Sequence, residues 1–475
     1  MGKSRKFEIT TLLLGPVLFL LAAFCLPASV FPDFSARAAI GTVCWMAAWW
    51  ITGPVDFAVT AFLPIAVNAI FSMVDMNAVI SNYASETILL LLGASILTIS
   101  WEETGLDKRI AASFLALIGS SMKSQIIFWY LLSAVLSAFL PNAVVTATVT
   151  PIAVSMLKYV GEGNIGKSEK GSLLLLTIVH AAGVGGLATP LGGAMNLVVV
   201  DYLQQLTGQE YMYVSWVIRF LPIMIVLVVG NIVYLLWFSP KNGDLGGSKE
   251  YFKKMFKEMP PMVREEKLSL ILFVVATVLA FTRQLYQSIL PGLTPAYVFI
   301  ICAIISFLIT KRDKTRLLRW HSVQQKIIWD LIFIFAGGLA AGTLINDSGA
   351  AQNLGDMVAS MGMSGGYVTV LIILTFTLLM SDVTSNTATA AIAMPIVISV
   401  TQGMNLNPIP YIYVATIGVN LSFMLPTSIR AIPVGYGLSP KYMLKKGIVI
   451  SILIIIVLSI MSYLMMRFWP AFSTI

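Results

Sequence analysis

Two short polar motifs interrupt long apolar stretches of the chain, and their residue types are suited to holding an anion. The first motif is Pro141-Asn142-Ala143 and the second is Ser385-Asn386-Thr387. Pro141 removes a backbone donor and disfavours helix at the residue before it, and asparagine competes for the backbone hydrogen bonds of a helix interior. We therefore predict that one helix ends at each motif and that another begins at about Ala143 and Ala388.

Each new helix would present its N-terminus, with free N–H groups and roughly +0.5 of a charge, at the motif. Such an end binds anions, and the asparagine NH2 groups donate to carboxylate oxygens. Two such ends facing one cavity suit an anion with a carboxylate at each end, while unwound carbonyls nearby suit a small cation. The alternative is that both motifs are simple kinks closed off by asparagine.

The composition requires a membrane around these helices. Hydrophobic residues make up 58% of the 475 residues and charged residues 11%, against about 25% charged in soluble domains. Apolar runs recur along the whole chain, and each approaches the roughly 20 residues that span a bilayer. The fold class predicted is an all-α polytopic membrane protein with about 11 transmembrane helices and two re-entrant hairpins.

The net charge of +8 does not indicate nucleic acid, because the basic residues lie in short polar gaps between apolar runs. This is the positive-inside pattern, and it predicts a plasma-membrane protein with a cytoplasmic N-terminus. The first apolar run lacks a small-residue cleavage site, so no signal peptide is expected. The basic residues concerned are Lys3, Arg5 and Lys6; Lys241, Lys249, Lys253, Lys254, Lys257, Arg264 and Lys267; and Lys311, Arg312, Lys314, Arg316 and Arg319.

Two apolar runs, 86–100 and 330–346, are too short to cross comfortably and are rich in Gly and Ala. We predict that they form the re-entrant hairpins, which a membrane tolerates where protein or water surrounds the backbone. The polar segment 239–267 is predicted to be a cytoplasmic linker. Its stretch Lys249–Glu258 mixes aromatic residues with lysines, which is typical of a helix on the membrane surface, and a solvated loop is the alternative.

The chain contains an internal repeat with a shift of 244 residues and no gap. The shift aligns Gly, Asn, Pro and acidic positions, which chance matches of apolar residues do not explain. Inverted repeats with broken helices are common in secondary transporters. Stretch 73–85 has no basic residue, whereas 311–328 has several, and this favours opposite orientations of the two halves. The aligned pairs include Glu86 with Asp330, Gly93 with Gly337, Ser137 with Ser381, Asn142 with Asn386, and Pro151 with Pro395.

A second pair of breaks, at 185–196 and 425–433, carries Pro and small polar residues inside apolar spans. His180 is more typical of a helix-contact residue than of a proton carrier or ligand. Asp382 lies four residues before Asn386, where it can cap the break or pair with Arg430. The repeat and the linker divide the chain into five segments: 1–82, 83–205 (first repeat half), 206–326 (with the linker 239–267), 327–440 (second repeat half) and 441–475.

At these motifs the chain resembles the divalent-anion/sodium symporter family, whose members carry succinate, malate, citrate and related anions. Ser385-Asn386-Thr387 matches the family's Ser-Asn-Thr signature, and the order of the motifs makes the resemblance specific. The resemblance implies a homodimer with a scaffold domain and a transport domain that moves like an elevator. The scaffold would comprise the N-terminal helices (1–82), the central helices with the linker (206–326) and the C-terminal helix (441–475), and the transport domain would comprise the two halves 83–205 and 327–440. The further motifs that match are Trp45-Met46 with Trp49-Trp50, Ala61-Phe62-Leu63-Pro64, and Gly93 with Glu103-Thr104-Gly105-Leu106.

The resemblance also implies which residues bind ligands. Substrate would contact the two signatures and the second pair of breaks, and sodium ions would lie behind the signatures. The implied substrate residues are Asn142, Ala143, Ser385, Asn386, Thr387, Thr189, Pro190, Gly193, Pro426, Thr427, Ser428 and Arg430. The implied sodium ligands, vestigial if sodium is not used, are Ser137, Asn142 and Gly192 at a first site and Ser381, Thr384, Asn386 and Ser428 at a second.

The chain departs from the family pattern in ways that predict a different energy coupling. Pro141 and Ala143 replace both hydroxyls of the first signature, and neither half keeps the family's Thr-Pro-Pro-Asn segment. Arg430 stands where a proline is expected. An arginine in hydrocarbon costs roughly 2.5 to 3.5 kcal/mol on insertion scales, so we interpret it as a fixed cation that replaces sodium or binds a carboxylate. The alternative is that Arg430 snorkels or pairs with a carboxylate of the chain.

The resulting hypothesis is sodium-independent exchange of four- or five-carbon dicarboxylates, since moving an empty site with an exposed arginine would be costly. Its nearest rival is a sodium-coupled symporter of di- or tricarboxylates. The sequence has no ring-like filter pattern of a channel and no nucleophile–base pair of an enzyme, so we expect neither class. Three cysteines, expected to be buried free thiols, and two histidines form no metal cluster. The expected partners are the dicarboxylate, the lipid bilayer and a second copy of the chain, with no cofactor and no nucleic acid.

Overall fold

The computed structural model of the chain describes residues 5–240, 243–311, 314–360 and 365–475, with only the backbone described for 5–8 and 358–360. Within these residues every regular element is a helix, which confirms the all-α prediction. The basic residues Lys3, Lys241 and Arg312 lie outside the described residues.

The first helices form a compact N-terminal group. Two of them pack closely because Gly15 leaves room for the rings of Trp45 and Trp49, and Gly41 leaves room for Phe19. Gly53 ends the second helix in the left-handed conformation, with φ of 62°, which glycine adopts at no steric cost. The group comprises α1 (Arg5–Cys25), α2 (Phe34–Thr52), α3 (Phe57–Thr60), α4 (Leu63–Phe71) and α5 (Met76–Ser81).

The first repeat begins with a long helix and contains both predicted breaks of that half. One break separates the helices on either side of Pro141, and the other falls at 187–193, which includes a 3-10 turn at Pro190–Gly192. Its helices are α6 (Glu86–Thr104), α7 (Leu106–Leu115), α8 (Met122–Phe139), α9 (Asn142–Tyr159), α10 (Glu169–Gly186), α11 (Ala194–Thr207) and α12 (Tyr213–Trp237).

The middle of the chain contains a helix at the stretch predicted to be a surface helix or a loop, and two further apolar helices. The helical alternative for the linker is confirmed, because its basic stretch forms a helix and not a loop. These elements are α13 (Ser248–Lys257), α14 (Arg264–Phe281), α15 (Arg283–Tyr286), α16 (Pro295–Leu308) and α17 (Trp320–Lys326).

The second repeat reproduces the first closely over residues 329–403, whereas its later helices depart from the repeat shift. Its last break falls at 421–427 and is followed by a 3-10 turn at Ser428–Arg430. The repeat shift carries both bounds of α9 onto those of its counterpart, so the predicted repeat is confirmed. The helices are α18 (Trp329–Asp347), α19 (Ala350–Ser360), α20 (Tyr367–Val383), α21 (Asn386–Gly403), α22 (Pro408–Asn420), α23 (Ala431–Gly435) and α24 (Pro440–Phe468).

Two opposite faces of the molecule orient the description below. The linker face is the one that carries residues 243–263, and the C-terminal face is the one that carries Pro470–Ser473. Helix α24 joins the two faces. The Lys446 carbonyl near its start accepts from Tyr234 (2.6 Å), close to the end of α12, while its own end is followed by the 3-10 turn Pro470–Ser473.

Helices α8 and α9 form a hairpin that opens on the linker face. At the start of α8, the Met122 amide donates to the Gly243 carbonyl (2.9 Å). At the end of α9, the ring of Tyr159 lies 5.1 Å from that of Tyr251. Both ends of the pair therefore contact the same segment, and Pro141 lies at the inner tip.

Helices α20 and α21 form the corresponding hairpin, which opens on the C-terminal face. Gly365, before α20, approaches Leu406, just after α21, and its carbonyl accepts from the Tyr411 hydroxyl (2.7 Å). Tyr413 on the same helix end donates to the Thr474 carbonyl (3.0 Å). The two hairpins point in opposite directions, which confirms that the repeat is inverted.

The predicted location of the re-entrant hairpins, at 86–100 and 330–346, was wrong. Glu86 at the start of α6 shares a cavity with Tyr211 of the C-terminal face, whereas Glu102 near its end binds Lys326 (3.0 Å). Both α6 and α18 contain 19 residues and are about 28 Å long, so each crosses from one face to the other. The polar ends of these helices made their apolar runs look shorter than the helices are.

Length and composition support membrane spans in the described residues. Five helical stretches of the described part are long and apolar enough to cross a bilayer: Met76–Thr104 (α5 and α6 together), Met122–Phe139, Tyr213–Trp237, Trp329–Asp347 and Pro440–Phe468. Cys44 and Cys302 are at least partly covered, but Cys25 is exposed, contrary to expectation, because it ends α1 at a turn.

Candidate anion site at the two hairpin tips

The first hairpin tip is held by hydroxyl groups behind it. Ser137 donates to the Ala182 carbonyl (2.7 Å), and Thr189 donates to the Ala138 carbonyl. Gly192 is required here, because a Cβ atom would lie 2.4 Å from the Gly186 oxygen and 2.6 Å from the Ser137 oxygen. The three residues predicted as a first cation site (Ser137, Asn142 and Gly192) therefore lie around one point, close to Gly186.

The start of α9 is open. None of the described side chains caps this helix at Pro141, and Asn142 and Ala143 are partly exposed. Free N–H groups at a helix start carry partial positive charge. The predicted anion site depends on these N–H groups. Thr189 and Pro190 are buried behind it with Gly193, so they support the tip.

The second hairpin tip keeps its hydroxyls and uses them internally. Ser385 caps α21 by accepting from the Ala388 amide (3.1 Å). Asn386 Oδ1 accepts from Ser381 (3.0 Å) and from Ser422 (3.1 Å). Thr384 shares a hydrogen bond with Thr389 (2.6 Å). Thr387 is buried and Ser385 is partly exposed, so only part of the signature is accessible.

Arg430 is buried, with a relative exposure of 1%. The sequence-based hypothesis expected it to be exposed in the empty site. Its donors engage oxygens of the protein: Nε to Leu425 O (2.6 Å), Nη1 to Ser422 O (3.0 Å) and to Ser422 Oγ, and Nη2 to Thr427 Oγ1 (2.6 Å) and Ser381 O (3.4 Å). An arginine has five N–H groups, and five acceptors surround this one. Of the four residues predicted for the second cation site, the guanidinium contacts Ser381, and it also contacts Ser422; both serines are partners of Asn386.

Of the two roles that the sequence left open for Asp382, the structure contains the pairing with Arg430, while Ser385 and not Asp382 caps the helix at Asn386. Asp382 Oδ1 accepts from the Met424 amide (2.8 Å), and it lies 3.9 Å from Arg430 Nη2. Both side chains are buried, at 1% and 2% exposure. The alternative in which Arg430 pairs with a carboxylate of the chain is therefore what the structure contains, and the charge of Arg430 is balanced.

His180 lies behind this break as a contact residue. Its ring lies 4.7 Å from that of Phe423 and nearly perpendicular to it. Neither ring nitrogen has a hydrogen-bond partner among the described residues. The helix-contact interpretation of His180 fits this placement.

Two asparagines join the breaks of the two halves. Asn196 binds the Gly186 carbonyl (2.6 Å) and the Thr189 carbonyl (2.8 Å) through Nδ2, and its Oδ1 accepts from Asn420 Nδ2 (2.8 Å). In addition, α9 packs against α23. The structure thus brings the two half-sites together, as the repeat predicted.

A cavity of about 470 Å³ leads from the linker face to the first tip. Its rim includes Glu102, Lys108 and Lys326, and its inner end includes Leu140 and Pro141. On the second break, Pro426 and Thr427 are partly exposed and Ser428 is exposed. Ser428 adopts a φ of 51°, which is uncommon for a residue with a side chain.

The sequence did not identify Ser422 and Asn420 as site residues. Both are polar positions within the apolar run that ends at about 424, and this interruption was the available signal. The predicted break began at Leu425, whereas α22 ends at Asn420.

Inverted hairpins, broken helices and a tip open to one face define an inverted-repeat membrane transporter. A solved structure, the Alcanivorax borkumensis YdaH transporter, has a similar fold, with a TM-score of 0.50 and 12% identity over 83% of this chain and 88% of that one. The citrate transporter family, CitMHS, matches residues 47–418. The chain therefore belongs to the citrate transporter family, and it is a multi-pass membrane transporter and not an enzyme.

Two relatives of known name align with nearly the whole chain. The sodium-dependent dicarboxylate transporter SdcS of Staphylococcus saprophyticus is 28% identical over 96% of this chain and 91% of its own length. SdcS of Staphylococcus aureus (strain NCTC 8325) is 29% identical over 97% of this chain and 91% of its own length. The resemblance to the divalent-anion/sodium symporter family is confirmed.

Proposed function

We propose that the protein carries four- or five-carbon dicarboxylates, such as succinate, malate, fumarate or 2-oxoglutarate, across the plasma membrane. The observation that carries the proposal is one inverted pair of hairpins with a helix start at each tip, uncapped at Asn142 and capped by Ser385 at Asn386, whose halves are joined by the Asn196–Asn420 contact. Each start favours one carboxylate. Because Asn386 Oδ1 accepts from two hydroxyls, its NH2 group is the part that would donate a hydrogen bond to a substrate carboxylate. The relatives named for dicarboxylate transport support the same substrate class.

Alternating access is supported by two cavities related by the repeat. The cavity on the linker face contains Glu102, Asp107 and Lys108. The repeat aligns these positions with Asn346, Ala351 and Gln352, which line a cavity of about 350 Å³ near the C-terminal face. The first cavity reaches its hairpin tip, whereas the second ends at Ile398 to Gly403, far from Ser385. We propose that the hairpins shift like an elevator to open the second cavity and close the first.

The domain division that goes with this movement differs slightly from the sequence-based one. Helix α6 packs mainly on α16 and α14, and α18 packs on the N-terminal helices as well as on α21. We propose that α6 and α18 belong to the scaffold and that the hairpins with α10, α11 and α22 form the transport domain. A homodimer formed by the scaffold is the corresponding assembly.

We propose that transport does not require sodium at the second site. Arg430 places a permanent charge among carbonyl and hydroxyl oxygens of Ser381 and Ser422, which are the ligand types that hold small cations. Sodium can leave such a site, but a tethered guanidinium cannot. No sodium gradient can then be coupled through that site.

The return step is proposed to be loaded, which gives exchange of one dicarboxylate for another. The sequence-based reason, an exposed Arg430, does not hold, because Arg430 is buried and balanced by Asp382. A different reason supports exchange. A bound dianion compensates both helix starts, whereas an empty carrier would move two uncompensated positive ends.

The alternative, a sodium-coupled di- or tricarboxylate symporter, is favoured by two observations. Ser137, Asn142 and Gly192 still surround one point, and the relatives named above are sodium-dependent. A carrier with one sodium at the first tip would satisfy both.

The test is uptake of labelled succinate into proteoliposomes, with external sodium or choline, and with or without internal succinate. We expect uptake that needs internal succinate and is equal in sodium and choline. Steep stimulation by external sodium in vesicles without internal substrate would instead establish the symporter. No saturable uptake of any dicarboxylate under either condition would reject the substrate class.

The topology follows from charge. Lys249, Lys253, Lys254 and Lys257 lie on the linker face, and α1 begins on that face because its end packs with α18 residues near the opposite one. We propose that the linker face and the N-terminus are cytoplasmic.

A further inference from the structure

Helix α13 lies across the open end of the first hairpin. Ser248 at its start accepts from Gln125 Nε2 of α8 (3.0 Å). Phe252 is buried against Trp129 of α8, with ring centroids 5.8 Å apart. Tyr251 contacts Tyr159 at the end of α9 (5.1 Å). One short helix therefore contacts both arms of the hairpin whose tip carries Asn142.

The other side of α13 is strongly basic and exposed. Four lysines and a single glutamate lie within its ten residues, and all four lysines are exposed. Lys249, Lys253 and Lys257 recur every fourth residue, so they share one helix face. Lys254 approaches Glu258 at 3.9 Å, but both side chains remain exposed to solvent, at 73% and 66%.

Aromatic residues place this surface at the membrane boundary. Trp237 at the end of α12 is 79% exposed, Tyr159 is 61% exposed and Phe256 on α13 is 46% exposed. Exposed Trp and Tyr beside lysines are typical of the headgroup region. The lysines of α13 therefore lie within reach of lipid headgroups, where anionic lipids attract basic residues over about a Debye length.

Among the described residues, the second hairpin has no such surface. Its open end is covered by the C-terminal segment, through the Asn407 side-chain amide and the Ser473 carbonyl (2.7 Å) and through the Tyr413 and Phe472 rings (5.4 Å). No lysine lies in this segment, 469–475. The basic helix is thus specific to the hairpin that opens on the linker face.

The geometry points to α13 as a docking surface for anionic phospholipid headgroups, which hold the open end of the first hairpin at the membrane surface. Charge complementarity selects this partner, and the contacts to α8 and α9 connect it with the hairpin. Because the lysines are exposed and Ser248 and Phe252 form the inner face, the lysines can be changed without altering the packing.

The test compares hydrogen–deuterium exchange of residues 248–257 in nanodiscs of phosphatidylcholine alone and of phosphatidylcholine with phosphatidylglycerol. We expect slower exchange with the anionic lipid at low salt and a loss of this protection at high salt. In the variant K249Q/K253Q/K254Q/K257Q, the slowing of hydrogen–deuterium exchange by the anionic lipid should be smaller than in the wild type by roughly tenfold or more. The corresponding four-arginine variant should keep the slowing seen in the wild type. This readout does not depend on the transported substrate.

A matched control removes four exposed lysines elsewhere, in the variant K123Q/K167Q/K314Q/K441Q, and should keep the added protection. Equal protection in both nanodiscs would overturn the proposal. So would an equal loss in the control variant, since the attraction would then belong to the whole face. Protection in neutral nanodiscs on adding inorganic phosphate would show a free-anion site and would overturn it too.

A second readout, which rests on the proposed function, is the rate of dicarboxylate exchange in vesicles of the same lipids. Anionic lipid should change the rate of the wild type but not that of the four-glutamine variant. If no dicarboxylate exchange occurs in any lipid, the proposed function is rejected. Slower hydrogen–deuterium exchange of α13 with anionic lipid would still support lipid docking.

Discussion

At the second hairpin tip, Arg430 has the surroundings of a bound ion and not those of a substrate ligand. Its donors meet Ser381 O, Ser422 O and Ser422 Oγ, and Asp382 lies 3.9 Å away. A substrate carboxylate could bind the guanidinium only by displacing protein acceptors. The direct contact predicted between Arg430 and substrate therefore gives way to a proposal that Arg430 supports Asn386 from behind.

Replacing Arg430 by alanine should expose this role. In R430A the oxygens of Ser381 and Ser422 and the carboxylate of Asp382 lose their cation. Loss of one partner of a buried pair costs about 3 to 5 kcal/mol of unfolding free energy, and sodium can restore part of the charge balance. We expect weak uptake that becomes sodium-dependent, together with an unfolding temperature that rises with sodium.

The control for this experiment is R219A. Arg219 is also buried, at 5% exposure, and donates to the Ala471 carbonyl (2.7 Å) and the Ser215 carbonyl (3.0 Å), away from the tips. It should lose stability without gaining any response to sodium. A sodium response equal in both variants, or absent in R430A, would contradict the ion-replacement role.

Glu162 gives a prediction about pH outside the membrane spans. The Ser168 hydroxyl (2.7 Å) and Lys170 (3.0 Å) bind its carboxylate, and they lower its pKa from the ordinary value of 4.5. A lowered pKa in the folded state stabilises the protein above the unfolded value, and this stabilisation is lost as the pH falls through the folded value. The difference in unfolding temperature between wild type and E162Q should be present at neutral pH and vanish in acid. A difference that grows in acid would contradict this assignment.

At the level of helices, the repeat and the breaks were predictable, but the path of the chain was not. Proline, asparagine and the repeat shift located α9 and α21 to within a residue or two. Whether a chain crosses or turns back at Pro141 depends on packing against α10. Because α8 and α9 contain 18 residues each, about 27 Å in length, each arm looks like a span. The sequence-based hairpins were consequently assigned to α6 and α18.

Packing of α8 on α10 depends on a glycine. A Cβ atom at Gly185 would lie 2.3 Å from the Ala134 oxygen and 2.6 Å from its Cα, and both are backbone atoms that cannot move aside easily. We expect G185A to lose about 1 to 3 kcal/mol of stability and to slow transport, measured by thermal unfolding in detergent and by uptake.

The matched substitution is G230A in α12. No atom of the described residues lies within 4 Å of a Cβ atom there, and alanine favours a helix by about 1 kcal/mol over glycine. This variant should be as stable as the wild type or slightly more so. Comparable destabilisation of both variants would show that the close approach at Gly185 is not what matters.

The candidate site was predictable where a residue type forms a local motif and not where it depends on distant contacts. Asn142 and Ser385 follow from the breaks. The pairing of Asn196 with Asn420 joins the two halves across 2.8 Å, and the contact of Ser422 with Asn386 joins two separate segments. Neither spacing is a repeat spacing, so no sequence signal selects these partners.

At the level of the whole molecule, the inverted repeat relates a cavity that reaches its hairpin tip to a cavity that does not. Thr148 lines the cavity that reaches the first tip. Its partner in the repeat is Ile392, which is buried at 5% exposure among Ala388, Ala391 and Trp50. If the hairpins alternate, the two positions must exchange their accessibility.

Cysteine labelling of this pair provides the most direct measurement. In a background where Cys25, Cys44 and Cys302 are serine, T148C should react with an impermeant maleimide from the linker face, and I392C should be protected. Because exchange would populate the opposite state, saturating dicarboxylate on both sides should make I392C reactive from the C-terminal face and lower the labelling of T148C. The repeat makes each position the control for the other. Labelling of I392C from the linker face, or rates that do not respond to substrate at either position, would rule out alternating access between these two cavities.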